Sequence, residues 1–279
     1  MKKSAKKIRE YKNKKKITAL TAYDYSSAKY FERAGTDIIL VGDSLAQVIM
    51  GCDNTFQIGM DEMRVFTSAV ARGVKEALLV VDMPFLSYHC NVSDAMQNAG
   101  EFLKLGANAV KIEGASDYIL EVVSRLTSNG IPVMGHLGFT PQYINALGGH
   151  FVAGKDLDKT IFILEQAKKL QEAGAFAIVL EMVPAESARY ITENLDIPTI
   201  GIGAGPYCDG QILVGEDILG RYEDFCPRFA RQYANLKEDI YKAALAYCKD
   251  VENGAFPGKE ESFCLSEEER KRLEDYKKH

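Results

Sequence analysis

Three carboxylates, Asp43, Asp82 and Glu113, each stand at the end of a short apolar run, in "DIILVGDS", "ALLVVDMPF" and "AVKIEG". A charge at the end of a buried run is costly unless it is paired, hydrogen-bonded or bound to a metal. In "AVKIEG" the problem is doubled, because alternation along a strand sends Lys111 and Glu113 to one face and Val110 and Ile112 to the other. That face is either solvated or part of a site. Three such acids, rich in oxygen and free of sulfur, suit a hard divalent cation such as Mg²⁺. Glu181 follows the apolar "AIVL" and precedes "MVP", and a carboxylate hemmed in this way suits a general base near neutral pH. Ser44 adjoins Asp43, and His136 closes another apolar run, "IPVMGHLG", where an imidazole is equally at home as a structural residue or as a participant. The chemistry implied is proton abstraction beside a carbonyl, with a cation stabilising the enolate.

Such residues need a frame that brings separate strand ends together. Apolar runs over 17–22, 37–44, 77–85, 109–114, 131–138, 176–184, 197–205 and 211–217 predict eight strands. Helical patterns fall between them, over 26–34, 60–75, 93–105, 117–128, 157–173 and 185–193. Near-continuous apolar strands alternating with helices imply a parallel sheet covered on both faces. Eight such units predict a (β/α)8 TIM barrel, in which the polar residues lie at the C-terminal strand ends that carry active sites. The interval between the last two strands is too short for a full helix. A basic N-terminal segment, 1–16, is expected to form a short capping helix, and 224–279 to add C-terminal helices over 227–235, 237–252 and 266–277. The whole chain, 1–279, reads as one barrel domain.

Composition narrows the function further. The chain has 279 residues and a formal net charge of −5, and residues 1–16 hold nine of its 34 Lys and Arg but only Glu10 among its 39 acids. The rest is strongly acidic, which argues against a nucleic-acid enzyme. No apolar run is long enough to predict a membrane span. The six cysteines form no CxxC pair, which points to reduced thiols rather than a zinc site. "GIGAG" lacks the spacing of a dinucleotide fingerprint, so NAD is not expected.

The stretches "TAYDYSSAKYFERAG", "VGDSLAQVIMG", "DMPF", "GANAVKIEG", "PVMGHLGFTPQ", "VLEMVP" and "IPTIGIGAGPYCDGQILV" resemble, in order and spacing, the ketopantoate hydroxymethyltransferase family. The resemblance implies a cytoplasmic, Mg²⁺-dependent barrel enzyme of pantothenate synthesis, assembled as a homo-oligomer, often a homodecamer, with one Mg²⁺ per subunit. Its co-substrate would be 5,10-methylenetetrahydrofolate and its acceptor 3-methyl-2-oxobutanoate, yielding 2-dehydropantoate. Carried over by position, Asp43 and Asp82 would ligate the metal, with Glu113 completing the site directly or through water. Ser44 and Lys111 would hold the ketoacid, with His136 beside them, and Glu181 would take the C3 proton. The chain departs from the family pattern at Ala46 and Gln47, in "GHFVAG", and at Cys264 with the charged helix beyond it. Two other readings compete: a barrel of the phosphoenolpyruvate mutase and isocitrate lyase type, and a non-catalytic ketoacid-binding barrel. The first would carry a cysteine in a charged loop after strand four, where this chain has "GASDYILEVV". The second would be expected to have lost one of the acids.

Overall fold

Most of the predicted apolar runs are covered twice, by the barrel interior on one side and by helices on the other, and all eight fold as parallel strands, the first and last leaving Thr18 and Gln211 exposed. In the computed structural model, which describes residues 2–149 and 151–277, the strands close a barrel in sequence order. They are β1 (Ile17–Thr21), β2 (Ile38–Val41), β3 (Leu78–Asp82), β4 (Ala109–Glu113), β5 (Val133–Gly138), β6 (Ala177–Glu181), β7 (Thr199–Ile202) and β8 (Gly210–Leu213). Closure is made by β8 pairing with β1, Gly210 opposite Ile17. Helix α1 (Ala5–Arg9) precedes the barrel, and α2 (Tyr25–Arg33) joins β1 to β2. Next come α3 (Leu45–Val48), α4 (Met60–Gly73), α5 (Val92–Lys104) and α6 (Asp117–Ser128). The second half adds α7 (Ile144–Leu147), α8 (Leu157–Glu172), α9 (Ala185–Glu193) and α10 (Gly215–Leu219). Helices α11 (Leu236–Glu252) and α12 (Glu267–Tyr276) end the chain. The N-caps are those the sequence supplies: Asp24 accepts from the backbone of Ser26 and Ser27, and Asp156 from that of Lys159.

Alternation along the strands makes two cores. Ile39, Val41, Leu79, Val81, Val110 and Ile112 face outward to the helices, while Ile38, Leu40, Leu78, Val80, Ala109 and Met134 fill the interior. The floor is sealed by Ile8 of α1, fully buried against Ile17 and the other interior residues. The basic segment around it is engaged with the barrel's N-terminal rim. Lys12 Nζ lies 2.9 Å from Asp209 Oδ2, and Lys15 and Lys3 approach Asp37 Oδ1 to 2.8 and 3.1 Å.

The second half departs from regularity. Residues 203–209 link β7 to β8 without a helix, and α10 is little more than one turn. The predicted helix over 227–235 does not form. There the chain makes one turn, Ala230 N to Pro227 O, and then bonds back to Ile218 O through Tyr233 N at 2.7 Å. Packing overrides helical pattern here: the Phe229 ring lies 2.9 Å from where Gly203 would carry a Cβ, on a residue with φ of +61° that admits no side chain. Helices α11 and α12 form near the predicted bounds, but neither buries a residue. The "GHFVAG" stretch includes His150, and the two terminal segments include residues 1, 278 and 279; these four lie outside the described residues.

Candidate active site

The interior stripe that is apolar at the floor becomes charged at the C-terminal mouth. Ala109 is followed two residues later by Lys111 and then Glu113, Met134 by His136, and Val179 by Glu181, all on the inward face. Register then sets the neighbours. Asp82 pairs with Lys111, Glu113 with His136, and Gly138 with Glu181. At Gly138 the backbone has φ of +96°, and a Cβ would collide with the Glu181 carbonyl oxygen. Only glycine lets β5 pass so close to the strand end that presents Glu181.

All seven residues singled out in the sequence, Asp43, Ser44, Asp82, Lys111, Glu113, His136 and Glu181, line one cavity of about 570 Å³. Lys111 Nζ stands 2.9 Å from Asp82 Oδ1, 3.7 Å from Glu113 Oε1 and 3.1 Å from His136 Nδ1. His136 Nδ1 is 3.1 Å from Glu113 Oε1, and its Nε2 is 3.3 Å from Glu181 Oε2, at ion-pair distance without hydrogen-bond alignment. Asp43 is tied to Asp82 through its own backbone N–H, which donates to Asp82 Oδ2 at 3.0 Å. Ser44 Oγ shares a 2.8 Å hydrogen bond with the Tyr23 hydroxyl.

The charges explain one another. Burial and the Lys111 charge push the His136 imidazole down, but Glu113 and Glu181 outweigh them and raise it to about 9. His136 is therefore an imidazolium at neutral pH, donating Nδ1–H to Glu113. Burial opposes the Lys111 ammonium, yet Asp82, Glu113 and Asp43 together hold it well above its ordinary value. Burial also opposes ionisation of Glu113, but His136 and Lys111 bring its carboxyl below the usual range. Asp43 is the exception, held well above the carboxylate range by burial and then by the charges of Asp82 and Glu113.

The three acids do not form a three-carboxylate cage. Among the described residues, no three His, Cys, Asp or Glu side chains are grouped to hold a metal ion. Lys111 stands between Asp82 and Glu113, and Glu113 Oε2 accepts the Gln142 backbone N–H at 3.0 Å. The donor chemistry nonetheless fits a hard cation at Asp43 and Asp82, two buried, mutually repelling carboxylates whose charge Lys111, at 2.9 Å from Asp82 Oδ1, offsets only in part. Glu181 is less enclosed than its sequence neighbours imply. Leu180 points into the outer core, while the Glu181 side chain remains 16 % exposed and faces His136.

Sequence reasoning missed Gln142 and Tyr88. Gln142 Nε2 donates to Asp43 Oδ2 and to Met83 O, each at 2.9 Å, while its Oε1 accepts from the Tyr88 hydroxyl at 2.7 Å. It therefore ties the β2, β3 and β4 ends together from a short 3-10 turn after β5. The signal available was a polar residue just after Pro141 at a strand exit. The connection from β4 to α6 is only Gly114–Ser116, with no room for the charged cysteine loop of the rival reading.

A family model described as ketopantoate hydroxymethyltransferase matches residues 2–259. A 3-methyl-2-oxobutanoate hydroxymethyltransferase of Thermotoga neapolitana is 52 % identical over 260 residues, covering 93 % of this chain and 96 % of that protein. One of Clostridium botulinum is 48 % identical over 275 residues, covering 98 % and 100 %. Among solved structures, phosphoenolpyruvate phosphomutase from Streptomyces platensis superposes with a TM-score of 0.60 at 13 % identity, covering 90 % of this chain and 88 % of that one. A 2,3-dimethylmalate lyase gives 0.58 at 15 % identity, covering 99 % of each. At such identities these structures share the barrel fold with this chain and carry no further argument. The near-complete match to the family model and to relatives at about half identity does carry one: this chain belongs to the ketopantoate hydroxymethyltransferase family.

Proposed function

We propose that this hydroxymethyltransferase moves a one-carbon unit from 5,10-methylenetetrahydrofolate to 3-methyl-2-oxobutanoate, giving 2-dehydropantoate and tetrahydrofolate in pantothenate synthesis. The observation that carries the reading is the buried chain of Lys111, Glu113, His136 and Glu181 at the foot of a single cavity. Lys111 and Ser44 bind and orient the anionic ketoacid. Glu181 takes the C3 proton; the C–H electron pair moves into the C2–C3 bond and leaves the charge on the keto oxygen as an enolate. His136, cationic and paired to both Glu113 and Glu181, keeps the base aimed. Asp43 and Asp82 would hold one Mg²⁺, with Glu113 serving it through water, and the ion would supply Lewis-acid polarisation of the keto oxygen. The enolate carbon then attacks the methylene carbon of the folate-derived iminium, whose C=N pair returns to nitrogen; water replaces nitrogen on that carbon, the C–N bond breaking with its electron pair leaving on tetrahydrofolate, so that carbon gains the hydroxyl and nitrogen the proton.

Residence in the cytoplasm and assembly into a homo-oligomer belong to the same reading. The first is supported by six unpaired cysteines, the second by the exposed apolar side chains of α11. No helix of the described residues is long and apolar enough to cross a membrane. Proton NMR of 3-methyl-2-oxobutanoate in deuterated buffer with enzyme and Mg²⁺ tests the function. C3 exchange is expected without the folate, and hydroxymethyl product once methylenetetrahydrofolate is added. Exchange that never leads to product would point to a different electrophile.

A further inference from the structure

The cavity is far larger than a five-carbon ketoacid needs, and its outer half is built differently from its foot. It is walled by Ile202, Phe225 and Phe229, with Arg228 exposed on its wall and Asp217 set among them. Asp217 is 6 % exposed. Among the described residues its carboxylate takes no hydrogen bond and no ion pair, and its electrostatic neighbours, Glu216 and Tyr222, bring no positive charge. A buried carboxylate without a partner is unfavourable for the fold. Burial, with Glu216 beside it, raises this one to about 6, which leaves it an acceptor at neutral pH. Nothing in the proton-abstraction chemistry uses it.

A ligand that completes this half must bring hydrogen-bond donors to Asp217, flat apolar faces to the aromatic walls and negative charge toward Arg228. We propose that Asp217 recognises the one-carbon donor, its carboxylate accepting the adjacent ring N–H and amino donors of a 2-amino-4-oxopyrimidine edge. This assignment rests on the folate reading above. Two parallel donors match a carboxylate in bidentate fashion. The fused ring would stack against the Phe229 side, and the anionic glutamate tail would extend toward Arg228. Asp217 is reached through β8 and α10, where the chain turns at Val214, so it can address the donor without touching the Lys111 and His136 network.

Inhibition by tetrahydrofolate and by its analogue lacking the 2-amino group, compared in wild type and Asp217→Asn, tests the assignment. Wild type should bind tetrahydrofolate about tenfold or more tightly than the analogue, and Asp217→Asn should lose that discrimination. The KM for methylenetetrahydrofolate should rise by a similar factor in the variant, while folate-free C3 exchange of the ketoacid persists. Asp217→Ser serves as a second variant should the first not fold. A variant that discriminates as wild type does, or that loses C3 exchange along with donor affinity, overturns the assignment. If wild type exchanges the C3 proton but binds no tetrahydrofolate, the folate reading fails and the assignment falls with it, an outcome distinct from a wild type that binds and discriminates.

Discussion

Lys111 is the charge on which the mouth depends, since Asp43, Asp82 and Glu113 all raise its proton affinity. Removing it leaves buried carboxylates uncompensated. Lys111→Met is expected to abolish activity and to lower stability in urea unfolding by about 3–5 kcal/mol, and adding Asp82→Asn should recover part of that loss. The His136 shift gives a pH prediction. Its imidazole moves from about 6.5 in the unfolded chain to about 9 in the fold, so its contribution is whole below about 6.5 and is lost as pH rises through about 9. Stability of metal-free protein should therefore fall across that window, and His136→Gln should flatten the fall. At this scale the sequence is legible where alternation applies: Lys111 and Glu113 share a face because strand geometry demands it. Gln142 was not legible, because its three side-chain hydrogen bonds reach residues remote in sequence. The setting of Glu181 differs from the one its apolar flank suggests, because neighbours in a strand point to the opposite side and do not enclose its carboxylate.

Elements position these side chains through close approaches rather than through propensity. Gly138 lets β5 and β6 meet where Glu181 leaves the sheet. Gly138→Ala combines a positive φ with a backbone collision and should cost about 3 kcal/mol or more, against about 1 kcal/mol for Gly148→Ala. Gly148 also has positive φ, but among the described residues no atom lies within 4 Å of the place an alanine methyl would take there. Thermal and urea unfolding of the two variants separate backbone strain from collision. The eight strands and the helices α2, α4, α5, α6, α8 and α9 were legible because each keeps one period and one buried face. The stretch over 227–235 was not, because Phe229 is drawn onto Gly203 by tertiary packing that a local pattern does not encode.

The barrel as a whole is sealed at its N-terminal floor by Ile8 and open at the mouth that holds the charges. Outside it, α11 displays Ile240, Tyr241, Leu245 and Val251 to solvent, a face that a second copy of the chain would cover. If α11 holds the proposed homo-oligomer together, truncation after residue 235 leaves a folded barrel while lowering the number of subunits measured by light scattering; an unchanged subunit number would remove α11 from the proposed assembly. Closed-barrel topology was legible from strand count and spacing, whereas the exposure of α11 was not, since an amphipathic pattern does not say whether it packs against anything. Removal of the C3 proton of a ketoacid through Glu181, as proposed, is tested by deuterium uptake at C3 of 3-methyl-2-oxobutanoate with Mg²⁺-loaded wild type and Glu181→Gln. Wild type should exchange, and Glu181→Gln should bind the ketoacid yet exchange at least about a hundredfold more slowly; exchange at the wild-type rate in the variant would remove Glu181 as the base.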